Sequence, residues 1–129
     1  MAPTPENVVR EFFDHRAIPG NVVEAIDIYV AESCVWTNTG MPAAEGKAAI
    51  KGFMQQFVDA LGMHGIRSDF RQFAIDGDAV LVDRIDHLLD ADGRTIMSME
   101  ISSTFIVEDG RIVVWRNYFD PTPFAPARA

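Results

Sequence analysis

An arginine and an aspartate two residues apart, Arg84 and Asp86, stand inside the alternating run Val80–Leu89. Side chains of a β-strand alternate between faces with a period of two. Val80, Val82, Arg84, Asp86 and Leu88 then share one face, and Leu81, Asp83, Ile85, His87 and Leu89 share the other. If the first face points inward, both charges sit among apolar neighbours, where an unpaired charge is costly. At this spacing they can satisfy each other and shift each other's proton affinity. A second carboxylate, Asp120, ends the aromatic run Trp115-Arg116-Asn117-Tyr118-Phe119. Simple alternation gives Asp120 a face with Ile112, Val114, Arg116 and Tyr118, and turns Asn117 away from it. Upstream, Cys34, Trp36 and Asn38 share a strand face. Trp36 offers bulk and one N–H donor, and Asn38 offers a donor and an acceptor. Perturbed carboxylates with such neighbours are the groups of proton-transfer chemistry. The plainer readings are a structural ion pair for Arg84–Asp86, a turn residue for Asp120 and a core side chain for Trp36.

Other chemistries find less support. Ser98, Ser102, Ser103 and Thr104 lie in a strand pattern without the glycine-flanked turn that exposes a nucleophilic serine. Cys34 has no cationic neighbour in sequence and reads as a small buried hydrophobe. His15, His64 and His87 are scattered, and alternation turns His87 away from Asp86. Glu100 shares the more polar face of its strand with Ser98 and Ser102. One cysteine and no paired Cys or His spacings argue against a structural zinc site.

The 129 residues fit one domain, 1–129, with an ordered core over about 5–121. Eleven Lys and Arg against nineteen Asp and Glu give a net charge of −8. That balance argues against nucleic acid, which needs a basic face, and against an anionic membrane surface. The N-terminal residues lack a signal peptide's charged start and apolar run, and no stretch approaches a membrane span. A soluble cytoplasmic protein is the expectation.

Several elements must place these residues. Thr4-Pro5 opens a helix carrying Val8, Val9, Phe12 and Phe13 at helical spacing. Ile18-Pro19-Gly20 breaks it. Asn21 is placed to cap a second helix, with Glu24 as in a capping box. A short strand covers 33–38, a loop 39–42 and a third helix 46–61, with Gly62 as its stop. Residues 64–75, 79–90, 94–108 and 111–119 read as strands separated by Asp76-Gly77, Asp92-Gly93 and Asp109-Gly110. Asp-Gly between alternating runs is a strong hairpin signal. The result is an α+β chain, three helices and a strand followed by a four-strand antiparallel meander. Pro121-Thr122-Pro123 ends the last strand, and the tail to Ala129 reads as loose. Met97, Met99, Ile101, Phe105 and Val107 share one face of the third meander strand, as core and as walls for an irregular apolar ligand.

Three segments in order, Val35-Trp36-Thr37-Asn38, Asp83-Arg84-Ile85-Asp86 and Trp115-Arg116-Asn117-Tyr118-Phe119-Asp120, resemble the limonene-1,2-epoxide hydrolase family. The order of elements resembles the wider nuclear transport factor 2-like superfamily, with its ketosteroid isomerases and SnoaL-like cyclases. The resemblance implies a cone of three helices on a curved mixed sheet around a deep apolar pocket. It implies one-step addition of water to an apolar epoxide, giving a vicinal diol with no covalent intermediate, metal or organic cofactor. Carried over by motif, Asp120 matches the water-activating carboxylate, Asp86 the acid that protonates the epoxide oxygen, and Arg84 the bridge between them. Asn38 matches a water-holding residue, and Trp36 stands where the family has a second one, a Tyr. Asn117 replaces an Asp of the terminal motif, and alternation gives this little catalytic weight. The loop at Thr39-Gly40-Met41-Pro42 also reaches its proline later than the family pattern.

The chemistry is coherent. A leaving alkoxide needs a proton and water needs a base, each worth about 10²–10⁴-fold. Asp86 protonated and Asp120 ionised, titrating as a pair, is the expected division. Two other readings stand beside hydrolysis: an isomerase or cyclase moving a proton next to a carbonyl, and a non-catalytic ligand-binding domain. Carbonyl chemistry needs one free base and a neutral donor to the oxygen, and the Arg84–Asp86 pair with Asn38 argues against it. A homodimer is expected, as closed dimers dominate oligomers.

Overall fold

A computed structural model describes residues 3–124. Helix α1 spans Pro5–Arg16, and the Thr4 hydroxyl accepts from the Asn7 amide at 3.2 Å, as the sequence predicts. Helix α2 spans Val22–Tyr29 and α3 spans Lys47–Leu61, ended by Gly62 in the left-handed region. The capping box at Asn21 does not form. The Asn21 side chain caps nothing, and Glu24 instead meets His15 at 2.9 Å.

Six strands form one sheet: β1 Val30–Asn38, β2 Ala44–Glu45, β3 Gly65–Asp76, β4 Ala79–Leu89, β5 Thr95–Glu108 and β6 Arg111–Phe119. Their spatial order is β2-β1-β6-β5-β4-β3. The meander β3–β6 is antiparallel throughout, and β1 joins it parallel to β6, which makes the sheet mixed. Strand β1 begins three residues before the expected Ser33. Strand β2, two residues long, carries too little pattern to be read from sequence. The expectation of a loose tail lies outside the described residues beyond 124.

The three helices pack on one another and over the sheet, α1 across β3–β6 and α3 against β1. Phe12 of α1 meets Trp115 edge-on at 5.2 Å and Phe105 at 6.1 Å, so the aromatic core sits between α1 and the centre of the sheet. Burying such rings is worth about 1.5–3 kcal/mol each and fixes α1 over the meander.

One irregularity matters for the site. In the β5–β6 ladder, Ile106 pairs with Val114 but Val107 pairs with Ile112, so Val113 is an extra residue on β6. Such a bulge moves the following side chains to the other face. Ile112 is buried, and so are Trp115 and Asn117, whereas Arg116, Tyr118 and Asp120 are exposed.

The β5–β6 turn places Asp109 at φ 50° and Gly110 at φ 75°. A Cβ at Gly110 would lie 3.0 Å from Pro3 Cδ. Both features disfavour a side chain there, so Gly110→Ala is expected to cost about 1 kcal/mol or more in urea denaturation.

Candidate functional site

Alternation on β4 holds as the sequence predicts. Val80, Val82, Arg84, Asp86 and Leu88 are all buried, with Arg84 at 0% and Asp86 at 4% exposure. Arg84 Nε donates to Asp86 Oδ1 at 2.9 Å. A second guanidinium joins them from α1, with Arg16 Nη2 donating to Asp86 Oδ2 at 3.2 Å. The Ser68 hydroxyl on β3 donates to Asp86 Oδ1 at 2.6 Å. Phe13 lies under both cations, 4.5 Å from the Arg16 guanidinium and 4.7 Å from that of Arg84.

Asp86 is therefore held by two arginines and a serine. Burial alone would raise its pKa, but the charges of Arg16 and Arg84 and the hydrogen bonds overcome this and hold it below the ordinary carboxylate value. Burial lowers Arg16 to about 10, against the opposing pull of Asp86, so it stays protonated at neutral pH. These contacts favour the ionised form of Asp86, against the expected division with Asp86 as the protonated acid.

Arg84 also reaches β5, where its Nη1 donates to Ser103 Oγ at 2.8 Å. Ser103 Oγ donates in turn to Asn117 Oδ1. Trp115 Nε1 donates to the same oxygen at 2.9 Å. An indole nitrogen can only donate, so this contact fixes the Asn117 amide with its oxygen toward Trp115. Asn117 Nδ2 then donates to Asn38 Oδ1 at 2.9 Å. Thr39 ties the end of β1 to β6, giving a hydrogen bond to the Asn117 carbonyl at 3.3 Å and taking one from the Phe119 amide at 3.2 Å.

These groups border a pocket of about 540 Å³, counting its open mouth. Its lining includes Arg16, Trp36, Asn38, Arg84, Asp86 and Asn117, with apolar walls from Met54, Phe57, Leu61, Met99, Phe119 and others. A mostly apolar lining with a few polar groups is the character of a small-molecule site. Trp36 is buried and stacks on Trp115 at 4.4 Å.

Asp120 is not in this pocket. It is exposed and lies in a surface depression with Arg71, Glu100 and Tyr118. Its Oδ1 accepts from the Thr122 hydroxyl at 2.6 Å and the Thr122 amide at 3.0 Å, which hold its pKa below the ordinary value. It is a turn residue at the end of β6. The bulge at Val113 is the physical reason: it breaks the alternation that linked Asp120 to buried Ile112 and brings Asn117 inward. Of the two acidic positions in the family's terminal motif, the one facing the pocket here is 117, and it holds an amide.

Arg84, Asp86, Asn38 and Trp36 thus come together, and Asp120 stays apart. Arg16, Ser68 and Ser103 escaped the sequence reading. Arg16 continues the α1 stripe Val8, Val9, Phe12, Phe13, and Ser103 falls on the buried β5 face between Ile101 and Phe105, so both signals were present. His87 faces outward to Asp69 and Ser98, and Cys34 is buried, its thiol pushed up to about 12. Among the described residues, no three His, Cys, Asp or Glu side chains group to hold a metal ion, and no helix is long and apolar enough to cross a membrane.

Residues 3–125 match the limonene-1,2-epoxide hydrolase catalytic domain. The chain belongs to this family. It is 27% identical over 104 residues to epoxide hydrolase EphG of Mycobacterium tuberculosis, an alignment covering 81% of this chain and 66% of that relative's length. A solved LEH-like epoxide hydrolase of M. tuberculosis superposes with a TM-score of 0.72 at 24% identity, covering 92% of this chain and 84% of that one. A SnoaL-like protein from Jannaschia sp. CCS1 shares the fold at 14% identity and TM-score 0.69, over 93% and 88% of the two chains. Both solved structures share the fold of this family member, three helices on a mixed sheet.

Removing the charge of Asp86 leaves two buried guanidiniums without their anion. Asp86→Asn is expected to cost about 3–5 kcal/mol in chemical denaturation. Asp120→Asn, on the surface, is expected to stay within about 0.5 kcal/mol. The Asp86 pKa is lower folded than unfolded, so its stabilisation is complete above the ordinary value of 3.8 and is lost as pH falls through the folded value. Acid unfolding of the parent is expected to steepen below pH 3.8, and Asp86→Asn is expected to lack that component.

Proposed function

We propose that the protein adds water to an apolar epoxide with Asp86 as the single participating carboxylate. The observation that carries this reading is a buried carboxylate, held by two guanidiniums and a serine on the wall of an apolar pocket, in a member of an epoxide hydrolase family. Water, held by the Asn38 and Asn117 amides, attacks a ring carbon as the C–O bond breaks. Asp86 accepts the proton that the water releases and returns it to the ring oxygen, giving the diol and restoring the carboxylate. Trp36 takes a different role from the water-holding one implied by its motif. Its buried Nε1–H has no protein partner and can only donate, which suits the ring oxygen as negative charge builds there.

This is a weakened form of two-carboxylate hydrolysis. A base held below its ordinary pKa is a poor acceptor at neutral pH. Asn117→Asp would place a second carboxylate at the Asn38 contact, where Asn38 can turn its amide to donate.

A second reading has its own support. One ionised base with a neutral buried indole donor is the set that proton abstraction next to a carbonyl requires.

Cyclic and linear apolar epoxides in ¹⁸O-water separate the two. Slow formation of labelled diol, lost in Asp86→Asn, kept in Asp120→Asn and raised about 10²-fold in Asn117→Asp, is the expected pattern. Diol formation that survives Asp86→Asn contradicts the proposal. Carbon-bound proton exchange in a ketone panel, with no diol from any epoxide, favours the isomerase reading.

A further inference from the structure

The polar groups at the pocket floor do not balance. Arg16, Arg84 and Asp86 are the buried ionisable side chains of this cluster, two cations against one anion. Buried charge without a partner costs several kcal/mol. Three buried side-chain atoms among the described residues have no hydrogen-bond partner: Arg16 Nε, Arg84 Nη2 and Trp36 Nε1. All three are donors, and all three belong to residues lining the same pocket. Among the described residues, no buried side-chain acceptor is left over. Native structures pair nearly every buried polar atom, so three unpaired donors on residues that line one apolar pocket mark a place built for an acceptor.

From this surplus we infer that the natural ligand carries a carboxylate on an apolar body, and that the carboxylate binds to the free N–H groups of Arg84 and Arg16. The inference rests on the pocket being the ligand site and does not depend on the reaction performed there. A neutral oxygen could accept one or two of the three hydrogen bonds but would leave the net positive charge uncompensated. A carboxylate supplies two acceptor oxygens and the missing charge, and guanidinium groups suit its planar geometry. It leaves the Trp36 N–H for the reacting oxygen. Asn117 fits the same logic. An acidic side chain at 117, as in the family's terminal motif, would neutralise Arg84 through Ser103, and its replacement by an amide hands that charge to the ligand. The substrate class is then an apolar acid, with epoxy acids as the form that hydration would consume.

Calorimetric titration at pH 7 tests this without turnover, using octanoate and cyclohexylacetate, each beside its own primary amide. Each carboxylate is expected to bind at least tenfold tighter than its amide. Asn117→Asp is expected to abolish that preference. Arg16→Met, which leaves Arg84 and Asp86 balanced, is expected to weaken carboxylates at least tenfold and serves if the first variant does not fold. Amides binding as tightly as carboxylates, a preference that survives both variants, or no carboxylate binding at millimolar concentration overturns the inference. None of these results bears on diol formation from neutral epoxides, so the two readings fail separately.

Discussion

Asp86 between two guanidiniums is the contact on which the site depends. Arg84 comes from the same strand two residues away, Arg16 from the last turn of α1, and Ser68 from the neighbouring strand β3. One carboxylate thus joins the helix layer to the sheet. Its oxygens accept from three side chains, and both cations rest against Phe13. The arrangement sets the protonation state, since two adjacent positive charges outweigh the burial that favours the neutral acid. It also sets the sign of the pocket. An ionised base and surplus positive charge are a different starting point from a pair of carboxylates sharing a proton.

A single extra residue on β6 decides which side chain completes the floor. Val113 bulges, the alternation slips, and Asn117 rather than Asp120 meets Ser103, Trp115 and Asn38. Motif matching could not resolve this, because the terminal motif carries two acidic positions three residues apart, on opposite faces of the strand. Ile112 is buried, and no composition signal at Val113 announces a bulge among valines.

Most of the architecture was legible. Asp-Gly turns divide the meander because their residues tolerate the left-handed backbone that tight hairpins need. The Arg84–Asp86 face followed directly from period-two alternation, and the Cys34, Trp36 and Asn38 face likewise. What stayed hidden depends on contacts distant in sequence. The parallel pairing of β1 with β6 joins segments some 80 residues apart. Arg16 meets Asp86 across 70 positions. A charged residue closing an apolar helical stripe is ambiguous in sequence, since a helix end is equally a place for solvated cations. The capping box at Asn21 failed for a similar reason, as Glu24 found a tertiary partner in His15.

The ionisation of Asp86 is the point from which the chemistry follows. Carbon-13 NMR titration of the aspartate carboxyls, with Asp86 assigned by Asp86→Asn, measures it in the intact protein. A folded-state pKa below the ordinary 3.8, unchanged in Asp120→Asn, is the expected result. A carboxyl still protonated near neutrality, or one whose titration shifts when Asp120 is replaced, would contradict it and return Asp86 to the role of a proton donor coupled to Asp120.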